Sequence, residues 1–261
     1  MIITITNNKG GTGKSTTAQT LSIGLSLKGK KVLLVDFDPQ ANTSKTFNLK
    51  DSQYTITDVL SGKCSLSDAI HHTKYVDVIP SNLNLINIET MLNNNKEYEF
   101  TKYKQLKMQL ELVKNYYDFI VIDTAPNLSL LTTNAIYSSN YVLIPLLADI
   151  YSIEGLATIN DQIQSIKNGT DNKDVKISGL LITHYKSQTI VNQSLKDTLN
   201  NIANQLNTKV YKSVIRDSVI FSDSQATNSV CLLKYPTHNA SVDYIGFINE
   251  FIKDMEDIKN G

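Results

Sequence analysis

Eleven residues near the start of the chain, Asn7-Asn8-Lys9-Gly10-Gly11-Thr12-Gly13-Lys14-Ser15-Thr16-Thr17, hold its densest chemistry. Glycines let several backbone N–H groups converge on an anion, because no Cβ blocks the approach, and a helix starting just beyond them adds the positive end of its dipole. Gly10, Gly11 and Gly13 supply such a backbone, and Thr12 and Thr16 are counted with the loop. Lys14 would neutralise the outermost phosphates of a bound nucleotide, and the Ser15 hydroxyl would coordinate Mg²⁺. The usual spacing, G-x-x-x-x-G-K-[ST], calls for a glycine where this chain has Asn8, and a second lysine, Lys9, follows at once. With Lys14 serving the loop's own phosphates, Lys9 has charge to offer a target outside it.

Three carboxylates would complete such a site. Asp36 and Asp38 follow the run "KVLLV", and Asp123 closes "FIVID". In doubly wound sheets ligands sit beyond the carboxyl ends of strands, and all three aspartates fall at or just past such ends. Asp123 suits a place in the outer shell of a phosphate-bound Mg²⁺, and either Asp36 or Asp38 could orient an attacking water.

The elements that must position these groups are legible as short Val- and Ile-rich runs at 2–6, 31–37, 75–80, 118–124, 141–147 and 175–183, mostly separated by helical spacing. That pattern predicts a doubly wound α/β fold with a mostly parallel sheet flanked by helices. Residues 15–28 form the first crossover helix, with Gly29 as its stop, so its N-terminus points at the glycine loop. Residues 42–74 read as short helices and loops and 83–115 as helical, with the polar "NNNKE" at 93–97 as a helix–helix connection. The terminal stretch places Val242, Ile245, Ile248, Phe251, Ile252 and Met255 on one apolar stripe.

At 261 residues and 41% hydrophobic content, one domain spanning 1–261 is expected. Lysine plus arginine and aspartate plus glutamate both total 25, so net charge points to no partner. Arg216 is the only arginine. Cys64 and Cys231 lie far apart and outside any C-x-x-C, which argues against a disulfide framework or zinc site and for a reducing, cytoplasmic setting. No leader-like segment and no apolar run near ~20 residues is evident, so no membrane span is expected.

Three segments together, "NNKGGTGKSTTAQTLSIGLSLKGKKVLLVDFDPQANTS", "YDFIVIDTAP" and "LIPLLADIYSIEGL", resemble the deviant Walker A ATPases of the ParA/MinD group, specifically the ParA-type DNA-partition ATPases. The likeness runs on through "VIRDSVIFSDSQATNSVCLLKYPTHNASVDY". It implies a slow, switch-type hydrolysis of ATP with Mg²⁺. Lys9 would reach across a dimer interface to the partner subunit's phosphates, so that ATP promotes a homodimer. Asp38 would position water, Asp36 would stand nearer the metal's outer shell with Ser15 and Asp123, and Thr124-Ala125-Pro126 would sense the γ-phosphate. Adenine contacts would come from the loop holding Arg216 and Ser218, where many relatives carry I-P-R-N.

Within the group, neither cysteine is placed to hold an interfacial cluster. The C-terminus, with Glu250, Asp254, Glu256 and Asp257, is too acidic to seek anionic lipid, so no membrane partner is implied. Relatives that act as small-molecule ligases lack the early lysine. The resemblance therefore implies a nucleoid-associated protein that binds DNA without sequence preference and partitions plasmid or chromosome with a ParB-like centromere-binding adaptor that stimulates hydrolysis. Lys186, Lys196, Lys212, Arg216 and Lys234 are the DNA-contact candidates, and Ile220 fills a slot that is often arginine in relatives. With the first strand starting at residue 2, no N-terminal helix-turn-helix is expected. A ParA-like ATPase that positions a protein or membrane-associated cargo is the alternative.

Overall fold

The computed structural model describes residues 1–147, 149–186 and 191–260. Seven strands, β1 (Ile2–Ile5), β2 (Val32–Phe37), β3 (His71–His72), β4 (Asp77–Ile79), β5 (Phe119–Thr124), β6 (Tyr141–Leu147) and β7 (Lys176–Thr183), form one sheet in the order β3-β4-β2-β5-β1-β6-β7. All pair in parallel except the two-residue edge strand β3, which runs antiparallel to β4. The carboxyl ends of the six parallel strands therefore share one edge. This is the doubly wound α/β fold that the runs of Val and Ile imply, since strands covered on both faces need apolar groups on both.

The helices are α1 (Lys14–Leu27), α2 (Asn42–Thr46), α3 (Ile56–Leu60), α4 (Leu85–Asn94), α5 (Gln105–Glu111), α6 (Leu130–Ser138), α7 (Ile150–Gly169), α8 (Val191–Gln205), α9 (Val219–Ala226), α10 (Cys231–Lys234) and α11 (Asn239–Asn260). Strand alternation sorts them onto two faces. Ile3, Ile5, Leu34 and Val121 cluster with residues of α1 and α11. Leu33, Val35, Ile120 and Ile122 cluster with α3 to α6, and Val142, Ile144, Leu180 and Ile182 with α7 and α8. No described helix is long and apolar enough to cross a membrane.

The stretch 83–115 is helical on both sides of a connection that begins in the polar 93–97 and runs on to Lys104: α4 ends at Asn94, Asn95 accepts the Glu97 N–H at 3.0 Å to start a single turn, and α5 begins at Gln105. One expectation needs correction. In the terminal helix Val242 and Ile245 face outward, 50% and 36% exposed, while Tyr244, Phe247, Ile248, Phe251 and Met255 are buried. A stripe that steps by three residues falls behind the 3.6-residue turn, so the true apolar face also takes in the rings of Tyr244 and Phe247 beside that of Phe251.

That face clamps α1. A Cβ built on Gly24 would lie 2.2 Å from Ile248 Cδ1, so the two helices approach as closely as they do because position 24 has no side chain. Gly24→Ala should cost about 1–3 kcal/mol by overpacking. Combining it with Ile248→Val, which removes the clashing methyl, should recover part of that loss, measured by urea unfolding of the four proteins of the cycle. Strict additivity of the two changes would contradict the contact.

Candidate phosphate-binding site

The loop between β1 and α1 turns through two left-handed residues, Gly11 (φ 73°) and Gly13 (φ 76°), a conformation that a side chain would strain. Asn7 fixes its entry: Nδ2 donates to the Pro145 carbonyl at 2.7 Å, and Oδ1 accepts the Lys9 N–H at 3.0 Å. Farther along, the buried Thr12 offers its carbonyl to the Thr183 hydroxyl at 3.0 Å. The loop is thus moored to β6 and to the end of β7 before α1 begins at Lys14. The Lys14 ammonium curls back to donate to the Lys9 carbonyl at 2.7 Å. Burial pushes its pKa down, and the charges of Asp123 and Asp38 push it back up.

Asp36 and Asp123 are register partners on adjacent strands, and both are fully buried. Asp36 Oδ2 accepts from the Ser44 amide at 2.7 Å and the Ser44 hydroxyl at 2.6 Å, and its Oδ1 accepts the Asp38 N–H at 3.2 Å. Asp123 Oδ2 accepts from the Thr43 hydroxyl at 2.7 Å. Its Oδ1 is buried without a hydrogen-bond partner. Burial holds both carboxyls well above the usual range; the charge of Asp36 raises Asp123 further, with the Thr43 and Ser15 hydroxyls pulling the other way. Asp38, also buried, accepts the Gln40 N–H at 2.8 Å.

This donor set suits a cation that brings its own ligands. Among the described residues no group of three His, Cys, Asp or Glu side chains could hold a metal by itself. A Mg²⁺ that keeps water and phosphate oxygens needs only one or two protein groups, and the unpartnered Asp123 oxygen close to Ser15 fits a metal-bound water. Asp36, expected nearer the metal's outer shell, has its two oxygens engaged by Ser44 and by the Asp38 amide, and holds the turn after β2.

A cleft of about 520 Å³ opens beside the loop, lined by Gly11, Gly13 and Thr16 on one side and by His184, Ser218 and Phe221 on the other. Ser218 lines this cleft, and its side chain also caps α9. Arg216 does not line the cleft. Its guanidinium forks onto Asp243 of α11 at 2.6 and 2.8 Å. Sequence reasoning missed Thr183, His184 and Tyr244 in the lining, because a bare strand end and a core-type helix carry no motif. Tyr244 reaches under the loop to share a hydrogen bond with Thr17 at 3.0 Å. A larger hollow of about 790 Å³, touching Lys31, Tyr75, Asp77 and Tyr117, lies at the opposite edge of the sheet and contains none of the motif residues.

Two further placements differ from expectation. Lys9 has a local counterion after all: its ammonium lies 3.2 Å from Asp149, the residue that caps α7, with both side chains about a third exposed. Three of the five DNA-contact candidates have a carboxylate neighbour within the chain. Lys186 pairs with Asp217 at 3.5 Å, Arg216 with Asp243 and Lys234 with Asp223. Lys212 is exposed, and the Lys196 side chain lies outside the described residues.

Residues 1–177 match the AAA_31 family, described as an AAA domain. The sporulation initiation inhibitor protein Soj of Bacillus subtilis is 33% identical over 253 residues, covering 95% of this chain and 97% of that protein. The chromosome-partitioning ATPase Soj of Treponema pallidum is 33% identical over 220 residues, 84% of this chain and 83% of its own. A putative plasmid partition protein from Borrelia burgdorferi, solved bound to AMPPNP, superposes with a TM-score of 0.77 at 28% identity and 98% coverage of both chains. Such near full-length likeness, together with a glycine loop that opens on a second lysine, shows that this chain belongs to the ParA/MinD family of ATPases, in the company of the Soj and ParA partition proteins.

Proposed function

We propose that the chain is a nucleotide-switched ATPase: it binds ATP with Mg²⁺ in the cleft at the head of α1, pairs with a second copy while the γ-phosphate is present, and releases it slowly through hydrolysis. The observation that carries this is the convergence of Lys14, Asp38 and Asp123 under a glycine loop with left-handed turns at Gly11 and Gly13. Gly10, Gly11, Thr12, Gly13 and Thr16 give backbone and hydroxyl donors to the phosphates, and Lys14 supplies the charge. Ser15 and Asp123 would hold Mg²⁺, which when bound would neutralise the charge on the phosphate oxygens. Asp38 positions the attacking water. Ser218 is a candidate base contact.

Lys9 is given the role of reaching the partner copy's phosphates. A partly exposed ion pair such as Lys9–Asp149 is worth only about 0–1 kcal/mol, so phosphate in a water-excluded interface competes for the lysine easily. Two-fold symmetry doubles each such contact. The dimer would bind DNA nonspecifically and work with a centromere-binding adaptor to partition a plasmid or chromosome. The internal pairing of Lys186, Arg216 and Lys234 favours keeping a second reading, in which the same switch positions a protein or membrane-associated cargo.

Three variants test the switch. Lys14→Ala should lose roughly 10- to 100-fold in ATP affinity, as expected for a charge-assisted contact of about 1.5–3 kcal/mol. Asp38→Ala should bind ATP and accumulate as a dimer that retains DNA with ATP but not ADP, and lose it steeply as salt rises. Lys9→Ala should bind nucleotide yet stay monomeric by light scattering; normal dimerisation of Lys9→Ala with ATP would contradict the trans role.

The buried carboxyls predict a pH effect in the nucleotide-free, metal-free protein. Asp123 keeps its proton in the folded state where the unfolded chain, with a value of about 4, has lost it, so folding stability falls as pH rises from about 4 through the raised native value. Asp123→Asn should therefore be the more stable protein at neutral pH and above, by about 1.4 kcal/mol for each unit of raising, and equal to wild type below about pH 4. Thermal melts of both proteins across that range check it; an advantage for Asn that grows toward acid would contradict it.

A further inference from the structure

The turn that carries Asp38 is tied down at both ends. Asp38 starts it, with its carbonyl accepting the Ala41 N–H at 2.9 Å and its Oδ1 accepting the Gln40 N–H at 2.8 Å. Ala41 closes it in the left-handed region, φ 54° and ψ 39°, a conformation that a non-glycine residue holds only where its surroundings impose it. What imposes it is the short helix α2. Ser44 fixes α2 to Asp36 of the same strand, β2, and its hydroxyl also accepts the Ser81 N–H at 2.8 Å.

Thr43 fixes α2 to something else. Its hydroxyl donates to Asp123 Oδ2 on the neighbouring strand β5 at 2.7 Å and accepts from Gln19 Nε2 of α1 at 2.9 Å. Thr43 is 0% and Gln19 4% exposed, so no solvent competes for these bonds. One hydroxyl thereby joins three elements: the helix that begins at the phosphate loop, the strand whose carboxylate faces the metal side, and the turn that presents Asp38. The other oxygen of Asp123 is the unpartnered one. A group that engages that oxygen acts on a carboxylate whose second oxygen is already fastened to the Asp38 turn.

We propose that Thr43 is a positioning residue for hydrolysis, its hydroxyl linking Asp123 and Gln19 so that engagement of Asp123 on the metal side sets the turn bearing Asp38. The inference rests on the roles given above to Asp38 and Asp123. Thr43 touches no reacting atom; it acts through these two aspartates. A hydroxyl is required because it must both donate to a carboxylate and accept from an amide, which valine, of the same shape, cannot do.

The test uses the full chain with Thr43→Val, Thr43→Ser, Gln19→Met and Asp38→Ala, all checked for folding by thermal melts. Thr43→Val should hydrolyse ATP at least about tenfold more slowly while its affinity for a fluorescent ATP analogue with Mg²⁺ stays within about threefold, and Thr43→Ser should restore most of the rate. Independently of activity, amide exchange of residues 40–46 should slow when Mg²⁺ and a nonhydrolysable ATP analogue are added to wild type and Thr43→Ser, and stay unchanged in Thr43→Val. Gln19→Met, which removes only the far end of the link, should show a smaller loss of the same kind, and serves if Thr43→Val fails to fold. A wild-type rate in Thr43→Val, or the same exchange response in it as in wild type, would overturn the proposal. If Asp38→Ala loses hydrolysis while Thr43→Val keeps it, the link alone is wrong; if Asp38→Ala also hydrolyses normally, the reading of the site falls with it.

Discussion

Asp36 and Asp123, buried side by side on β2 and β5, impose the arrangement on which the site depends. Two adjacent carboxylates out of water cannot both be charged cheaply, since burial penalises each and their mutual repulsion adds to it. The surrounding chain answers with donors: the Ser44 amide and hydroxyl and the Asp38 amide on Asp36, the Thr43 hydroxyl on Asp123, and the Lys14 ammonium nearby. Helix α2 is only five residues long, so its place is owed to these bonds more than to its own helical stability. The left-handed Ala41 and the position of Asp38 follow from it.

The same economy holds on the phosphate side. The glycine loop keeps its shape because Asn7, Thr12 and Thr183 bind it to β6 and β7. Helix α1 is held against α11 by the close approach at Gly24 and by Tyr244, which sits at the cleft and bonds to Thr17. The terminal helix, which carries no catalytic group, therefore sets the seat of the helix whose N-terminus faces the phosphates.

Much of this was legible in the residues. The fold followed from apolar runs on strands buried on both faces, and the loop from glycine spacing, because both signals are local in sequence. The partners of Lys9 and Asp123 were not legible. Asp149 lies 140 positions from Lys9 and Thr43 lies 80 from Asp123, so each pairing exists only once the strand order is known. The partner of Arg216 was hidden for a related reason: Asp243, 27 residues on, takes the guanidinium. The outward turn of Val242 and Ile245 shows how a stripe inferred at a spacing of three drifts off a real helix.

If the γ-phosphate in the cleft governs association of two copies, sedimentation velocity of the wild-type protein should separate Mg²⁺ with a nonhydrolysable ATP analogue from Mg²⁺ with ADP. A dimer is expected with the analogue and a monomer with ADP, at protein concentrations where both nucleotides saturate the cleft. The same sedimentation coefficient in both states would contradict it.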